Sequence, residues 1–222
     1  MNTEQLQRHP VLLVHGLNDT GAVFNKMARY LRQRDWSVHT LDLSPNNGAG
    51  VLDKLAQQVA DYVAATFEPE QPLDVVGFSM GGIVSRYYIQ RLGGINNVKR
   101  FITISSPHQG TVLAYGSWLP GCVQMRPNSP LLQDLNSDVE MLQQLNFTSI
   151  WTPYDLMIVP PRSSQMPVGK EFTLPVALHP WMLTDSRTLA IVADALVEPI
   201  TPYPQSGYVQ NSQKSLLNVD NT

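Results

Sequence analysis

A serine flanked by two glycines lies in the pentad "GFSMG", residues 77–81 of a 222-residue chain. A serine hydroxyl attacks a carbonyl readily only when a base, usually a histidine oriented by a carboxylate, removes its proton. The pentad follows an apolar run and precedes a pattern with helical spacing, the context typical of a serine presented on a strand–turn–helix. Gly77 and Gly81 leave the room that such a strained turn requires. These residues predict Ser79 as the nucleophile of an acyl-transfer reaction.

Five histidines compete for the role of base. His9 precedes the first predicted strand and His39 lies inside the second, so we expect both to be structural. His15 and His108 each follow a predicted strand close to the serine turn and remain alternatives. His179 lies on a late loop before the last predicted helix, where serine hydrolases with the chain order serine, acid, histidine carry their base. We therefore predict His179 as the base.

The acid that orients the base has four candidates. Asp155 directly follows a strand-like run and precedes the predicted base in the chain, so we predict it as the acid; the alternative is an ordinary turn aspartate. Asp185 follows the base and is expected to cap the last helix. Asp42 ends the second predicted strand, and Asp74 precedes the third strand at the wrong end of the sheet.

Alternating strand and helix patterns must position these residues. Short runs rich in Val and Leu predict strands, and apolar stripes at helical spacing predict helices. The alternation predicts an α/β fold: an open, mostly parallel sheet with helices on both faces, the serine turn after a central strand, and the site at the carboxyl ends of the strands. Strands are predicted at 9–16, 36–43, 72–79, 98–105, 146–152 and 170–175, and helices at 17–36, 50–67, 80–94 and 186–199.

The chain length favours one domain over two. We expect that domain over residues 1–199, with residues 107–146 as an insertion or partial lid over the active-site end. Residues 200–222 are polar and aperiodic, which predicts a flexible tail. Apolar residues of the insertion either line an acyl-chain groove and touch a lipid surface or simply cover the end of the sheet. They are Val112, Leu113, Tyr115, Trp118, Leu119, Val123 and Met125.

Local capping signals refine these helices. Asp19 or Thr20 is expected to cap the first helix with its side chain. Within the insertion, Pro130 marks the start of one helix, and Ser137 with Glu140 predicts a capping box for the next.

Composition argues against several classes of function. The net charge is −3 and the 15 Lys and Arg residues are scattered, so we expect no nucleic-acid partner. Cys122 is the only cysteine, which leaves no disulfide and no multi-cysteine metal site, and nothing around it activates a thiol. The polar start "MNTEQLQRHP" lacks the pattern of a secretory signal and no window has the apolar length of a membrane span, so we expect a cytoplasmic protein whose membrane contact is at most peripheral.

Four stretches together resemble the α/β-hydrolase superfamily: "PVLLVHG", "VVGFSMGG", "FTSIWTPYDLMIVP" and "LHPWMLTDSRTLAIV". Within it, they resemble the small bacterial lipases of the Bacillus lipase A type, and the resemblance covers most of residues 9–199. The stretch "ISSPHQGT" is also similar to a lipase loop that supports the site without supplying the base, which argues against His108. The chain departs from the smallest members in carrying Gly77, where alanine occurs, and in its longer stretch before the acid.

The resemblance implies a role for five residues. Ser79, Asp155 and His179 are implied as the catalytic triad, and the backbone amides of Leu17 and Met80 as the oxyanion hole. We therefore expect a serine carboxyl-ester hydrolase of lipase or esterase type that acts on acyl esters or lipids and needs no cofactor or metal. An acyltransferase or thioesterase with the same triad, or a catalytically idle hydrolase fold that acts as a binding module, remains the alternative.

Overall fold

Six parallel strands form one open sheet. The structure is a computed structural model that describes residues 8–200, so the predicted tail, apart from its first residue, lies outside the described residues. Every strand pairing is parallel and the spatial order is β2-β1-β3-β4-β5-β6, which confirms the predicted α/β fold. The strands are β1 Val11–Val14, β2 Val38–Leu41, β3 Leu73–Phe78, β4 Val98–Ile104, β5 Asn146–Trp151 and β6 Lys170–Thr173.

Helices cover both faces of the sheet, as predicted. Successive side chains of a strand point to opposite faces, and in β1 Leu12 and Val14 belong to one core whereas Val11 and Leu13 belong to the other. The first core also holds α2, α3 and α5, and the second holds α1 and α6. The helices are α1 Asn25–Arg32, α2 Leu52–Thr66, α3 Met80–Arg91, α4 Pro120–Gln124, α5 Pro130–Ser137 and α6 Ser186–Val197.

Two of the capping predictions are wrong. Neither Asp19 nor Thr20 caps the first helix with its side chain, because a 3₁₀ turn, Gly21–Phe24, precedes α1. The first amide of that turn instead donates to the Asp42 carboxylate at 2.7 Å, a partner distant in the chain.

The predicted capping box in the insertion does not form either. The Ser137 hydroxyl ends α5 by donating to the Asp134 carbonyl, and a 3₁₀ segment, Val139–Gln144, follows without a side-chain cap. The start of α5 is as predicted, since Ser129 accepts a hydrogen bond from the Leu132 amide.

The insertion is anchored to the body of the protein. Its α5 contributes Leu131, Leu132 and Leu135 to the first core. The buried Arg86 side chain on α3 donates to the Leu135 carbonyl at 2.7 Å and to the Asn136 side chain at 3.0 Å. These contacts fix the C-terminal half of the insertion against α3, whereas the large exposed apolar side chains of the insertion lie in its N-terminal half.

Gly81 lies where α3 crosses the end of β1. A methyl group on its Cα would lie 2.1 Å from the Val14 carbonyl oxygen and 2.5 Å from that of His15, and backbone atoms cannot move aside cheaply. We expect Gly81→Ala to lower the free energy of unfolding by about 3 kcal/mol or more. Thermal and urea denaturation of the variant measure this loss.

Gly116→Ala is the matched control, because a methyl group there meets no atom within 4 Å. Equal stabilities for the two variants would contradict the close approach of α3 to β1.

Candidate active site

Ser79 lies on the sharp turn between β3 and α3. Its backbone has φ 53° and ψ −123°, a strained conformation for a residue with a side chain. The Ser79 amide donates to the Ile104 carbonyl at 2.9 Å, which ties the turn to the end of β4. Gly77 is as necessary as Gly81, because a methyl group on it would lie 2.5 Å from the Gly82 Cα. The turn thus presents the serine side chain above the carboxyl end of the sheet.

Asp155 and His179 meet at the same edge of the sheet. Asp155 follows β5, and His179 opens a 3₁₀ turn between β6 and α6. The imidazole Nδ1 lies 2.7 Å from the Asp155 Oδ2. The other carboxylate oxygen, Oδ1, accepts hydrogen bonds from the Met157 and Ile158 amides, both at 2.9 Å. These three contacts orient the carboxylate toward the imidazole.

The environment of Asp155 keeps it ionised. Burial is the largest single influence on the carboxyl and favours its neutral form, since its residue is 3 % exposed. The hydrogen bond and charge of His179, together with the Ile158 and Met157 amides, outweigh burial, so the pKa of Asp155 lies below its ordinary value. An ionised partner at Nδ1 keeps the proton on that nitrogen and leaves Nε2 as the basic one.

The side chain of Phe78 packs beside the base. Its ring centroid lies 4.7 Å from that of the His179 imidazole, and Phe78 is the residue directly before Ser79. Ser79 and the imidazole of His179 therefore lie near each other in space although they are 100 residues apart in the chain. Within residues 8–200 the Ser79 hydroxyl has no hydrogen-bond partner, and catalytic hydrogen bonds of this kind often form only in the complex with substrate.

The loop after β1 passes directly against the nucleophile. A methyl group on the Gly16 Cα would lie 3.0 Å from the Ser79 Cβ, so glycine at this position lets the loop pass close to the serine without displacing it. The next residue is Leu17, and Met80 opens α3 on the other side of the serine. In the part of the chain that the structure describes, no loop or side-chain acceptor takes the amide of Leu17 or Met80. The two amides predicted for an oxyanion hole thus flank the serine.

The alternative bases have other partners. The Nδ1 of His15 contacts the Gly16 carbonyl at 2.8 Å, and its Nε2 accepts a hydrogen bond from the Leu43 amide at 2.8 Å. Both nitrogens therefore bind backbone groups of the loops that follow β1 and β2. His108 is fully buried against Thr103, and burial followed by the charge of Arg86 holds its pKa well below the ordinary value.

The remaining candidates also have structural contacts. His9 and Asp74 lie at the opposite end of the sheet, where Asp74 pairs with Arg100 at 3.0 Å. Asp185 caps α6 by accepting from the Arg187 amide. The described residues include no cluster of three or more His, Cys, Asp or Glu side chains that could hold a metal ion.

Exposed apolar side chains surround this edge of the sheet, and we call them the apolar rim. They come from three loops: the N-terminal half of the insertion, the loop of the acid and the loop of the base. The first two loops are joined, because the Val112 amide donates to the Val159 carbonyl at 2.9 Å. The rim comprises Leu113, Tyr115, Trp118, Leu119, Tyr154, Leu156, Met157, Leu178 and Trp181.

The most exposed rim residue is Trp118, at 86 %. The Arg126 guanidinium lies 5.0 Å from the Trp118 ring centroid and 4.9 Å from that of Tyr115, and it donates to the Ser117 carbonyl. It has no carboxylate partner among residues 8–200. The apolar residues of the insertion were recognised from the sequence. No sequence pattern indicated the rim residues beside Asp155 and His179, because an apolar residue on a loop is usually interpreted as part of the packing.

Comparison with known proteins gives two partial sequence matches. The chain is 35% identical over 82 residues to pimeloyl-[acyl-carrier protein] methyl ester esterase of Chromobacterium violaceum, covering 36% of this chain and 31% of that protein. It is 29% identical over 105 residues to the human lysosomal thioesterase PPT2, covering 46% of this chain and 34% of that one. The matched region thus spans about a third of the length of each curated relative.

Among solved structures, the chain resembles lipase B of Aspergillus fumigatus with a TM-score of 0.73 at 20% identity, covering 92% of this chain and 56% of that one. This likeness confirms the α/β-hydrolase fold. Residues 10–138, more than half of the chain, match the sequence model of a family described as palmitoyl protein thioesterase. Within the α/β-hydrolase superfamily, the chain therefore belongs to the palmitoyl protein thioesterase family.

Proposed function

We propose that this protein is a serine hydrolase that cleaves acyl esters through Ser79, His179 and Asp155. The observation that carries the proposal is the 2.7 Å contact between the His179 Nδ1 and the Asp155 Oδ2 beside a serine held at φ 53°. An ordinary turn requires neither feature, whereas an activated serine requires both.

The first half of the reaction forms an acyl-enzyme. His179 Nε2 removes the hydroxyl proton as the Ser79 Oγ bonds to the ester carbonyl carbon. The negative charge that develops on the carbonyl oxygen is stabilised by the Leu17 and Met80 amides and by the positive end of α3. The protonated His179 then gives its proton to the departing alcohol as the carbon–oxygen bond breaks. Asp155 stays ionised and stabilises the imidazolium.

The second half of the reaction repeats these steps with water. His179 removes a proton from water, which attacks the acyl carbonyl in the same pair of amides. Collapse of the intermediate returns the proton to Ser79 and releases a carboxylic acid. Every step uses side chains and amides of this chain, and none requires a cofactor.

A thioester substrate is the second candidate. The family match and the names of the two curated relatives, one an esterase and one a thioesterase, favour it. The mechanism is unchanged except that a thiol leaves. A higher kcat/KM for a thioester than for the oxyester of the same acyl chain decides in its favour.

The apolar rim supports peripheral contact of the active-site edge with a lipid surface. Large exposed apolar patches mark such contacts, and an exposed tryptophan beside an arginine suits a surface with an apolar interior and anionic headgroups. Within the domain 1–199 we assign the lid role to residues 112–119 alone, since α5 is anchored to α3. No helix among residues 8–200 has both the length and the hydropathy to cross a bilayer.

A rate profile over p-nitrophenyl esters of increasing chain length tests this function. We expect kcat/KM to rise with acyl length and the rate to jump where the ester begins to aggregate. Trp118→Ser is expected to lower the rate on aggregated ester about ten-fold, because one exposed tryptophan contributes roughly 1–2 kcal/mol of apolar contact. Its rate on a short soluble ester should stay within two-fold of the wild-type rate, as estimated for a surface change.

Phe172→Ser is the matched control, because Phe172 is an exposed aromatic residue on the edge strand β6, outside the rim. A preference for short soluble esters with no jump at aggregation would count against the lipid surface and in favour of a simple esterase.

A further inference from the structure

Asp19 brings a second carboxylate next to the nucleophile. A methyl group on the Gly16 Cα would lie 3.0 Å from the Ser79 Cβ and 3.3 Å from the Asp19 Oδ2, so one small group bridges the two side chains. Asp19 follows the oxyanion-hole residue Leu17 by two positions. The Asp19 Oδ2 therefore lies within about 6 Å of the Ser79 Cβ, close to the atom that would bond to a substrate.

No group in the described chain neutralises this carboxylate. Among residues 8–200, none donates a hydrogen bond to the Asp19 side chain or forms an ion pair with it. His15 lies nearby, but its two ring nitrogens contact the Gly16 carbonyl and the Leu43 amide rather than Asp19. Partial burial raises the pKa of Asp19, and the charges of His15 and His179 oppose this rise only in part.

Within the described part of the chain, the Asp19 carboxylate has no structural role as a helix cap or as a hydrogen-bond acceptor for the loop. Asp42, not Asp19, holds the first amide of the following turn, and the backbone of Asp19 alone contacts Asn46. The Asp19 side chain is only partly buried, so water still reaches it, and a charge this close to the serine acts on the reactants. Its negative charge repels anions and attracts cations close to the ester.

We propose that Asp19 is a specificity-determining residue that selects by charge, so that the site favours neutral or cationic substrates over anionic ones near the scissile bond. The proposal rests on the hydrolase function proposed above and adds the class of substrate. A unit charge about 7 Å away at an effective dielectric constant of about 40, appropriate to a partly exposed group, changes a rate roughly ten-fold. The preference for a cation over an anion is then about a hundred-fold.

Three aryl acetates with the same acyl group test the proposal. They carry a cationic para-trimethylammonium, a neutral para-methoxycarbonyl or an anionic para-carboxylate group. For each ester, kcat/KM of the variant is divided by kcat/KM of the wild type, so the intrinsic reactivity of the ester cancels. In Asp19→Asn we expect kcat/KM to rise about ten-fold for the anionic ester and to fall about ten-fold for the cationic one. Asp19→Glu, which keeps the charge, should retain the wild-type order.

Asp61→Asn is the matched control, since it removes one exposed charge from α2, remote from the nucleophile, and should leave all three ratios unchanged. If hydrolysis depends on Ser79 but the Asp19→Asn variant has the wild-type kcat/KM for all three esters, the charge selection alone is overturned. Failure of the wild type to hydrolyse any of the three esters would overturn the hydrolase function and the selection together.

Discussion

Replacing Ser79 with alanine is expected to lower kcat for ester hydrolysis by about 10⁴- to 10⁶-fold. The alanine side chain has no atom that can bond to the acyl carbon, so the acyl-enzyme does not form. The fold should persist, because the Ser79 hydroxyl has no hydrogen-bond partner within residues 8–200 and its amide contact with Ile104 is unaffected. Initial rates on a soluble p-nitrophenyl ester, with circular dichroism to check folding, measure the effect.

Ser105→Ala provides a closely matched control. Ser105 also follows a strand, β4, and has a positive φ of 46°, but it is fully buried and its hydroxyl makes no hydrogen bond with His179. The variant should retain activity within a few-fold. Comparable activity in Ser79→Ala and Ser105→Ala would contradict the assignment of the nucleophile.

Replacing Asp155 with asparagine is the second change with a large expected effect, a decrease in kcat of about 10⁴-fold, as estimated from serine hydrolases with an equivalent triad. The asparagine oxygen can still accept the Met157 and Ile158 amides, which leaves the NH₂ group facing His179. A donor at that position favours the wrong imidazole tautomer, with the proton on Nε2. Steady-state kinetics together with a denaturation curve separate this effect from unfolding.

The control for Asp155 is Asp185→Asn, which changes the N-cap of α6 and should cost at most about 1 kcal/mol of stability with little loss of activity. An Asp155→Asn variant within ten-fold of wild-type kcat would mean that the 2.7 Å contact does not orient a catalytic base.

The pKa of Asp155 sets the sign of a pH effect. Because the pKa is lower in the folded protein than in the unfolded chain, the stability from this carboxylate is present above the unfolded pKa and is lost as pH falls through the folded value. Asp155 therefore stays ionised through neutral and mildly acidic pH, and its orientation of His179 persists over that range.

Short-range patterns were sufficient to predict much of this molecule. The apolar runs of β1 and β3, buried at every position, are typical of central parallel strands, and they place the carboxyl ends of the strands together. Chain order then brought Asp155 and His179 forward as candidates, and they meet at 2.7 Å. Their catalytic roles, and those of the Leu17 and Met80 amides, stay predictions until measured.

Long-range contacts explain what the sequence could not predict. The position of Asp19 before a helical pattern predicts a helix cap, but the Asp42 carboxylate accepts the hydrogen bond from the first amide of the turn instead. The Asp19 carboxylate therefore remains close to Ser79. The capping box of Ser137 with Glu140 also fails, since anchoring of α5 by Arg86 places the end of that helix, and the Ser137 hydroxyl contacts Asp134. In the first case a partner distant in sequence overrides a local preference, and in the second a competing local hydrogen bond does so.

The central claim is that Ser79 is a nucleophile activated by His179. Brief reaction with a fluorophosphonate, followed by digestion and mass spectrometry, tests it most directly, because the reagent modifies only a serine whose proton a base removes. We expect one phosphonylated peptide, modified at Ser79, and no labelling of wild type at Ser105 or Ser106 or of the His179→Ala variant at Ser79. An unmodified Ser79 in the folded wild type, or equal labelling with and without His179, would contradict it.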